Sequence, residues 1–238
     1  MKKLQDLKKE LKNFKKPDKA NSLQRFFKTG KGEYGEGDIF LGLKTAETSS
    51  IAEKYKELLS FSELKELLAS KIHEERSVAV MILNRQFQKG GFKEKEEIYG
   101  FYLKNLSGIN NWDLIDTSAH RIIGAYLDLS GKSRKFLYEF AKSGNLWKRR
   151  IAIMTTFHFI RKKEFKDSLK IAEILLNDRE DLIHKAVGWM LREIGNRDLA
   201  TEERFLKGYY KKMPRTMLRY AIEKFPESKR QAYLKGKI

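Results

Sequence analysis

Two of the three tryptophans lie at helical spacing from charged residues. Asp116 follows Trp112 by four positions, which places an indole and a carboxylate one turn apart on one helix face. Lys185 precedes Trp189 by four positions, and Arg192 follows it by three. A flat ring beside two cations suits nucleic acid, because cations bind phosphates and the ring packs against a sugar or base. A plainer interpretation makes both tryptophans core residues, with a solvated aspartate at a helix start and two cations whose stems pass beside a ring.

A run of three cations, Lys148, Arg149 and Arg150, follows Trp147 at the predicted start of a helix. Positive charge at a helix N-terminus opposes the helix dipole, which favours anions there. A bound phosphate would remove that conflict, because the helix end and the guanidinium groups both favour it. The run is also compatible with a solvated basic cluster that has no ligand.

The overall charge points to a polyanionic partner. Lys and Arg number 50 against 32 Asp and Glu in 238 residues, so the formal net charge is +18. Such a field attracts nucleic acid first and an acidic membrane surface second. A lysine-rich proteome would produce the same composition without any polyanionic partner.

Composition also excludes several classes of protein. Cysteine is absent, which excludes disulfide scaffolds, zinc ribbons and thiol nucleophiles. The four histidines lack ligand spacing, so we expect no metal and no cofactor. Residues 30–35 match G-x-G-x-x-G, but they follow a helical segment and not a strand, which argues against a dinucleotide site. Apolar runs are too short for a membrane span or a signal peptide, so we expect a cytoplasmic protein.

The remaining pattern predicts an all-α protein. Apolar residues recur at three- and four-residue spacing, and prolines occur only at positions 17, 214 and 226. The Gly-rich segment Thr29–Leu43 is predicted to form a loop after an N-terminal helix. We expect one domain over 1–238, made of N-terminal helices and the Gly-rich connection (1–50), helical repeats (51–225) and a basic C-terminal tail (226–238).

Three segments resemble one another: 67–83, 140–156 and 176–192. Each has an apolar helix end, a polar turn and a second helix with a small residue at one aligned position. These small residues are Ala79, Ala152 and Gly188, with Ala119 in a weaker fourth copy. Their spacing of 33 to 40 residues predicts an α-α superhelix of HEAT-like helical hairpins with a concave basic face for an extended partner. An ordinary helical bundle with chance similarity is the alternative.

Taken in order, the motifs resemble the AlkD family of DNA alkylation repair glycosylases. They are Phe40-Leu41-Gly42-Leu43, His73-Glu74-x-Arg76, Trp112-x-x-x-Asp116, Trp147-Lys148-Arg149-Arg150 and the run from Lys185 to Glu193. The similarity covers most of the chain, from about residue 20 to residue 225.

The resemblance implies a stack of HEAT-like repeats and hydrolytic excision of positively charged N3- or N7-alkylated purines from duplex DNA. It implies a monomer without a cofactor, cytoplasmic and nucleoid-associated when bound to DNA. Asp116 would be the catalytic carboxylate, with Trp112 and Trp189 as aromatic walls against the lesion nucleotide. The implied DNA contacts are Arg150, Arg149, Lys148, Lys185, Arg192, Lys44 and Thr45.

The residue types agree with that chemistry. An alkylated purine cation is a good leaving group, so a carboxylate that stabilises the sugar cation and orients water could suffice without a general acid. Indole faces favour a developing cation. The resemblance implies that the lesion is held through its backbone, without the base flipping that many glycosylases use.

The chain departs from the family pattern at three places. Lys44-Thr45-Ala46-Glu47 stands where the family often has a Pro-x-Arg run, and His158 stands where relatives place a lysine. Phe26 or Phe27 serves at the N-terminal aromatic position. These differences concern the substrate range and the lesion contacts.

Two other classes of function compete with the glycosylase. One is a non-catalytic HEAT-repeat protein that binds DNA or RNA, and the other is a protein-interaction scaffold. The complete set of motifs favours the enzyme, since a scaffold has no need for a Trp–Asp pair near cations.

Overall fold

A computed structural model of the chain describes residues 2–238. Sixteen α-helices make up nearly all regular structure in this range, which confirms the predicted all-α class. The described residues form no β-strand, and their one isolated bridge pairs Ile39 with Ile72. Over the same range no helix is long and apolar enough to cross a membrane.

The chain forms two compact units, one ending at Ser118 and one running from Ala119 to Ile238. The helices of the first unit are α1 (Lys2–Asn13), α2 (Pro17–Phe26), α3 (Thr45–Tyr55), α4 (Phe61–Leu68), α5 (His73–Lys89), α6 (Phe92–Lys104) and all but the last residue of α7 (Trp112–Ala119). A short 3-10 turn, Leu106–Gly108, precedes α7.

The second unit holds the remaining helices: α8 (Ala125–Ser130), α9 (Lys135–Ala141), α10 (Leu146–Thr155), α11 (Phe157–Arg161), α12 (Lys166–Ile174), α13 (Asp181–Gly195), α14 (Leu199–Tyr209), α15 (Arg215–Ala221) and α16 (Glu227–Leu234). A π-helical turn, His120–Gly124, precedes α8, and a 3-10 turn, Ile222–Lys224, follows α15.

The repeats seen in the sequence are helical hairpins. Helices α4 and α5, α9 and α10, and α12 and α13 pack as neighbouring pairs joined by short turns. Ser60 and Glu63 form a capping box at the start of α4, and Asn145 caps α10 by accepting the Trp147 and Lys148 amides. Whether the hairpins present a basic concave face stays a prediction.

The small residues at the aligned repeat position are all buried. Gly188 shows why size matters there, because a Cβ atom would lie 2.4 Å from the Met217 carbonyl oxygen and 2.5 Å from the Tyr220 Cβ. The hydrogen of Gly188 therefore lets α13 pack directly against α15. The rest of the apolar stripe of α13 is buried as well, and each such aliphatic side chain stabilises the fold by about 2 kcal/mol.

Both chain ends pack on their units. Leu4, Leu7 and Leu11 give α1 a buried stripe against α3 and α5, and its lysines are exposed except for the partly buried Lys8. Residues 226–238, expected as a basic tail, include α16, and Tyr233 of this helix is 1% exposed. With one buried residue among eight, this helix gives too weak a periodic signal to be predicted.

Replacing Gly188 with alanine tests the close packing of α13. We expect the Gly188→Ala variant to lose about 1–3 kcal/mol in free energy of unfolding, because backbone must move to admit the methyl group. Gly208→Ala in α14 is the matched control, since a Cβ there meets nothing within 4 Å. Urea unfolding of both variants measures the difference, and equal stabilities would contradict the packing argument.

Candidate functional site

Trp112 and Asp116 lie one turn apart on one face of α7, and both are half-buried. Asn111 precedes the helix and is fully buried. Its Oδ1 accepts the Trp112 backbone N–H at 2.8 Å, and its Nδ2 donates to the Asp38 carboxylate at 3.1 Å. The start of the helix is therefore tied to a residue 73 positions earlier in the chain.

Trp112 stacks on a cluster of three rings, Phe27, Phe40 and His73, in which Phe27 also lies 5.1 Å from His73 between centroids. Its indole lies parallel to Phe27 at 5.1 Å between centroids, Phe27 stacks on Phe40 at 4.7 Å, and Phe40 stacks on His73 at 4.5 Å. Phe26 meets the indole edge-on at 6.0 Å and is 65% exposed. Packing on one face thus fixes the plane of the indole.

A buried ion cluster surrounds His73, one of these rings. The His73 Nε2 lies 2.8 Å from Asp113, its Nδ1 lies 3.4 Å from Asp38, and the Arg76 guanidinium donates to Asp38 at 2.6 Å. Burial opposes charge on His73, yet the carboxylates of Asp113 and Asp38 outweigh it and raise its pKa to about 9. Burial likewise opposes charge on Asp38, but His73 and Arg76 hold the pKa of that carboxyl below its ordinary value.

Glu74 anchors the segment that carries Phe40. Its carboxylate accepts the backbone N–H groups of Leu41, Gly42 and Leu43 at 2.8 to 3.3 Å. Gly42 has a φ of +92°, and a Cβ there would lie 2.4 Å from the Lys16 carbonyl oxygen. The motif at residues 40–43 and the motif at residues 73–76 therefore bind each other, through these amides and the Glu74 carboxylate.

The surroundings of Asp116 include a buried pair of hydroxyls. The Tyr102 hydroxyl lies 2.7 Å from the Ser118 hydroxyl, which donates to the Leu114 carbonyl oxygen at 2.6 Å. Burial raises the pKa of the Tyr102 hydroxyl, and the negative charge of Asp116 raises it further. Asp116 therefore lies close enough to this phenol to disfavour its ionisation.

In the second unit, Trp189 packs beside Phe157 at 5.9 Å between centroids. Its indole N–H donates to Glu193 at 3.3 Å, and Glu193 in turn accepts from Arg197 at 2.7 Å. The ring is half-buried, with its polar edge bonded along its own helix. Trp189 therefore combines a fixed orientation with an accessible surface.

The two arginines of the basic run, Arg149 and Arg150, connect α10 to the start of α13. Arg150 is 4% exposed and donates to the carbonyl oxygen of Leu182 in the first turn of α13. Arg149 forms a 2.6 Å ion pair with Asp178, just before that helix. Because Asn145 accepts the first amides of α10, the predicted phosphate position at this helix end is occupied by a side chain.

Of the other predicted DNA contacts, the lysines and Thr45 are more accessible, whereas the Arg192 side chain is 18% exposed. Lys148 is exposed and extends over the Phe140 ring at 5.5 Å. Lys185 forms a 2.7 Å ion pair with Asp181 and remains 40% exposed. Arg192 pairs with Glu223. Lys44 and Thr45 are exposed at the start of α3.

A comparison with protein families decides the identity of the chain. Residues 7–225 match the family described as DNA alkylation repair enzyme. The chain belongs to that family. No curated protein matches it.

Solved structures share the fold of this DNA alkylation repair family member. A predicted DNA alkylation repair enzyme from Enterococcus faecalis is 17% identical with a TM-score of 0.68, over 90% of this chain and 97% of the other. AlkD2 from Streptococcus mutans is 19% identical with a TM-score of 0.54, over 87% and 97%. The protein smu.31 from Streptococcus mutans UA159 is 18% identical with a TM-score of 0.54, over 91% and 100%.

Within this repair-family fold, the structure brings Trp112 and Asp116 together, and it groups the basic run with the start of α13. Sequence reasoning missed Asp38, Asn111 and Asp113, whose hydrogen bonds hold the start of α7 at Trp112. The spacing of His73 and Arg76 on one helix face was the available signal. It could not reveal partners 35 to 40 positions away.

The raised pKa of His73 predicts a pH-dependent stability. The protonated ring is favoured by folding, so this stabilisation is complete below pH 6.5 and is lost as pH rises through about 9. We expect the free energy of unfolding to fall by about 3 kcal/mol over that interval, and His73→Gln to remove this slope. Urea unfolding from pH 6 to 10 measures both proteins, and parallel curves would count against a charged His73.

Proposed function

We propose that this chain is a DNA glycosylase that excises positively charged N3- or N7-alkylated purines from duplex DNA. The observation that carries the proposal is the placement of Trp112 and Asp116 one turn apart on α7, with the indole plane fixed by the ring stack. Membership of a repair enzyme family supports DNA as the substrate. We further propose that the protein acts as a monomer in the cytoplasm.

The reaction is hydrolysis of the N-glycosidic bond. The purine leaves with the electron pair of the C1′–N bond, which neutralises the positive charge that alkylation gave it. Positive character then develops on the deoxyribose, and a water oxygen bonds to C1′ and releases a proton. The products are a free neutral base, an abasic site and that proton.

Asp116 supplies the negative charge in this scheme. A carboxylate near C1′ stabilises the oxocarbenium-like transition state and accepts the proton from the attacking water. The Trp112 ring, held from behind by Phe27, offers its π-face to the same developing cation. The leaving base needs no proton, so a second acid is not required.

The second unit contributes DNA contacts. We propose that Trp189 packs against the DNA backbone and that Lys148 and Lys185 bind phosphates directly. Arg149 and Arg150 act mainly by fixing the first turn of α13, because their guanidinium groups already bond to Asp178 and Leu182. We propose Arg192, Lys44 and Thr45 as flanking contacts.

Replacing the carboxylate tests the proposed chemistry. We expect Asp116→Asn to lower the rate of base release from duplex DNA with N7-methylguanine by about 100-fold, because the charge that stabilises the sugar cation is gone. Single-turnover assays with excess protein measure the rate.

Asp18→Asn is the matched control, since this aspartate is exposed on α2. Equal release by native protein and the Asp116 variant would remove Asp116 from the mechanism and keep the enzyme. Absence of release by the native protein from N7-methylguanine and N3-methyladenine, with duplex binding retained, would establish the non-catalytic DNA-binding protein instead.

A salt titration tests the role of Lys148. We expect Lys148→Ala to reduce the slope of log binding constant against log salt by about 1, because one phosphate contact is lost. Lys93→Ala, an exposed lysine on α6, is the control and should leave the slope unchanged. Fluorescence anisotropy with a labelled duplex measures both, and identical slopes would exclude a direct phosphate contact.

A further inference from the structure

The Gly-rich loop contains one acidic residue, Asp38, whose side chain is buried in the first unit. Asp38 lies near the end of this loop, and its side chain is 8% exposed. One carboxylate oxygen, Oδ2, is approached by Arg76, Asn111 and His73 at 2.6, 3.1 and 3.4 Å. Neither the family motifs nor the proposed DNA contacts include this residue.

The loop that carries Asp38 is ordered by its own contacts. Glu33 and Glu36 accept the backbone N–H groups of Gly30 and Gly32 at 2.8 and 2.9 Å. Ile39, next to Asp38, bonds through its backbone to Lys71 and His73 at 2.9 and 2.8 Å. The glycine amides that a nucleotide phosphate would need are thus already bonded within the loop. These bonds also hold the backbone at Asp38 in one conformation.

Two routes connect Asp38 to the first turn of α7. In one, Asn111 bridges the carboxylate to the Trp112 backbone N–H. In the other, His73 bridges it to Asp113, the residue after Trp112. The His73 ring also packs against Phe27, the ring on which the Trp112 indole stacks. The backbone and the ring of Trp112 are therefore both held through contacts that begin at Asp38.

We infer that Asp38 is a positioning residue that fixes Trp112 and the first turn of α7 for the reaction. Asp38 and Asp113 together balance the charges of Arg76 and His73, which are both buried, and an unbalanced charge there would draw water or shift the helix start. The effect of Asp38 on base release rests on the proposed function. Its effect on the indole does not.

The first experiment follows Trp112 directly. With Trp147 and Trp189 replaced by phenylalanine, Trp112 is the only tryptophan, and its fluorescence reports its exposure to acrylamide. We expect Asp38→Asn to raise the quenching constant about twofold, as the first turn of α7 loosens. Asp167→Asn is the matched control, because it breaks another Asp–Arg pair, with Arg134 at 2.9 Å, in the second unit.

The second experiment measures function with all tryptophans restored. We expect Asp38→Asn to lower the single-turnover rate of base release about tenfold and to leave the Kd for the duplex within about twofold, since the groups that bind DNA are intact. Asp167→Asn should change neither value. A general loss of stability in Asp38→Asn would weaken base release and duplex binding alike. A lower rate with an unchanged Kd therefore identifies a positioning role.

Each outcome has one meaning. If Asp38→Asn fails to fold, Asn111→Ala takes its place, because it cuts one route to Trp112 without leaving a charge unpaired. Raised quenching without any base release by native protein would retain the positioning role and reject the glycosylase. Quenching and release rates equal to those of the Asp167 control would overturn the inference.

Discussion

Burial of opposite charges beside one aromatic stack organises the first unit. The Asp38 carboxylate, the Arg76 guanidinium and the His73 ring are each nearly removed from water. Separately each would be unfavourable in that position, so they persist only together and in one geometry. That requirement fixes the Gly-rich loop, the start of α5 and the start of α7 relative to one another. The placement of Trp112 and Asp116 follows from it.

Glycine has a comparable role in the second unit. Gly188 brings α13 against α15, and Gly124 lies where a Cβ would be 2.6 Å from the His158 Cβ. Gly124 ends a π-helical turn, a feature that often occurs at functional positions. Close approach of backbones leaves little space for adjustment, so side chains on these helices keep defined directions. Trp189, one residue after Gly188, is therefore held in one orientation.

The sequence predicts the parts of the molecule that depend on local pattern. Apolar spacing is enough for the helices, and the aligned small residues are enough for the hairpins, because both signals repeat within a few turns. The pair of Trp112 and Asp116 is visible for the same reason. Asp38 is not visible, since nothing in a Gly-rich segment marks one acidic residue as buried. Its partners are 35 to 73 positions away, and only the folded chain brings them together.

The contact between Glu74 and three consecutive backbone amides has an evolutionary consequence. Three consecutive amides of residues 41–43 bind one carboxylate of α5, and Gly42 fits there only as glycine. Backbone donors are present whatever the side chains are, so the contact tolerates drift at Leu41 and Leu43 as long as the glycine and Glu74 persist. A homologue that lost Glu74 would need a new acceptor for three amides at once. Substitutions at Gly42 and Glu74 should therefore be inherited together across the family. Gly32 and Gly37, earlier in the loop, face open space but have φ values of +79° and +85°, so each depends on glycine only for its own backbone conformation.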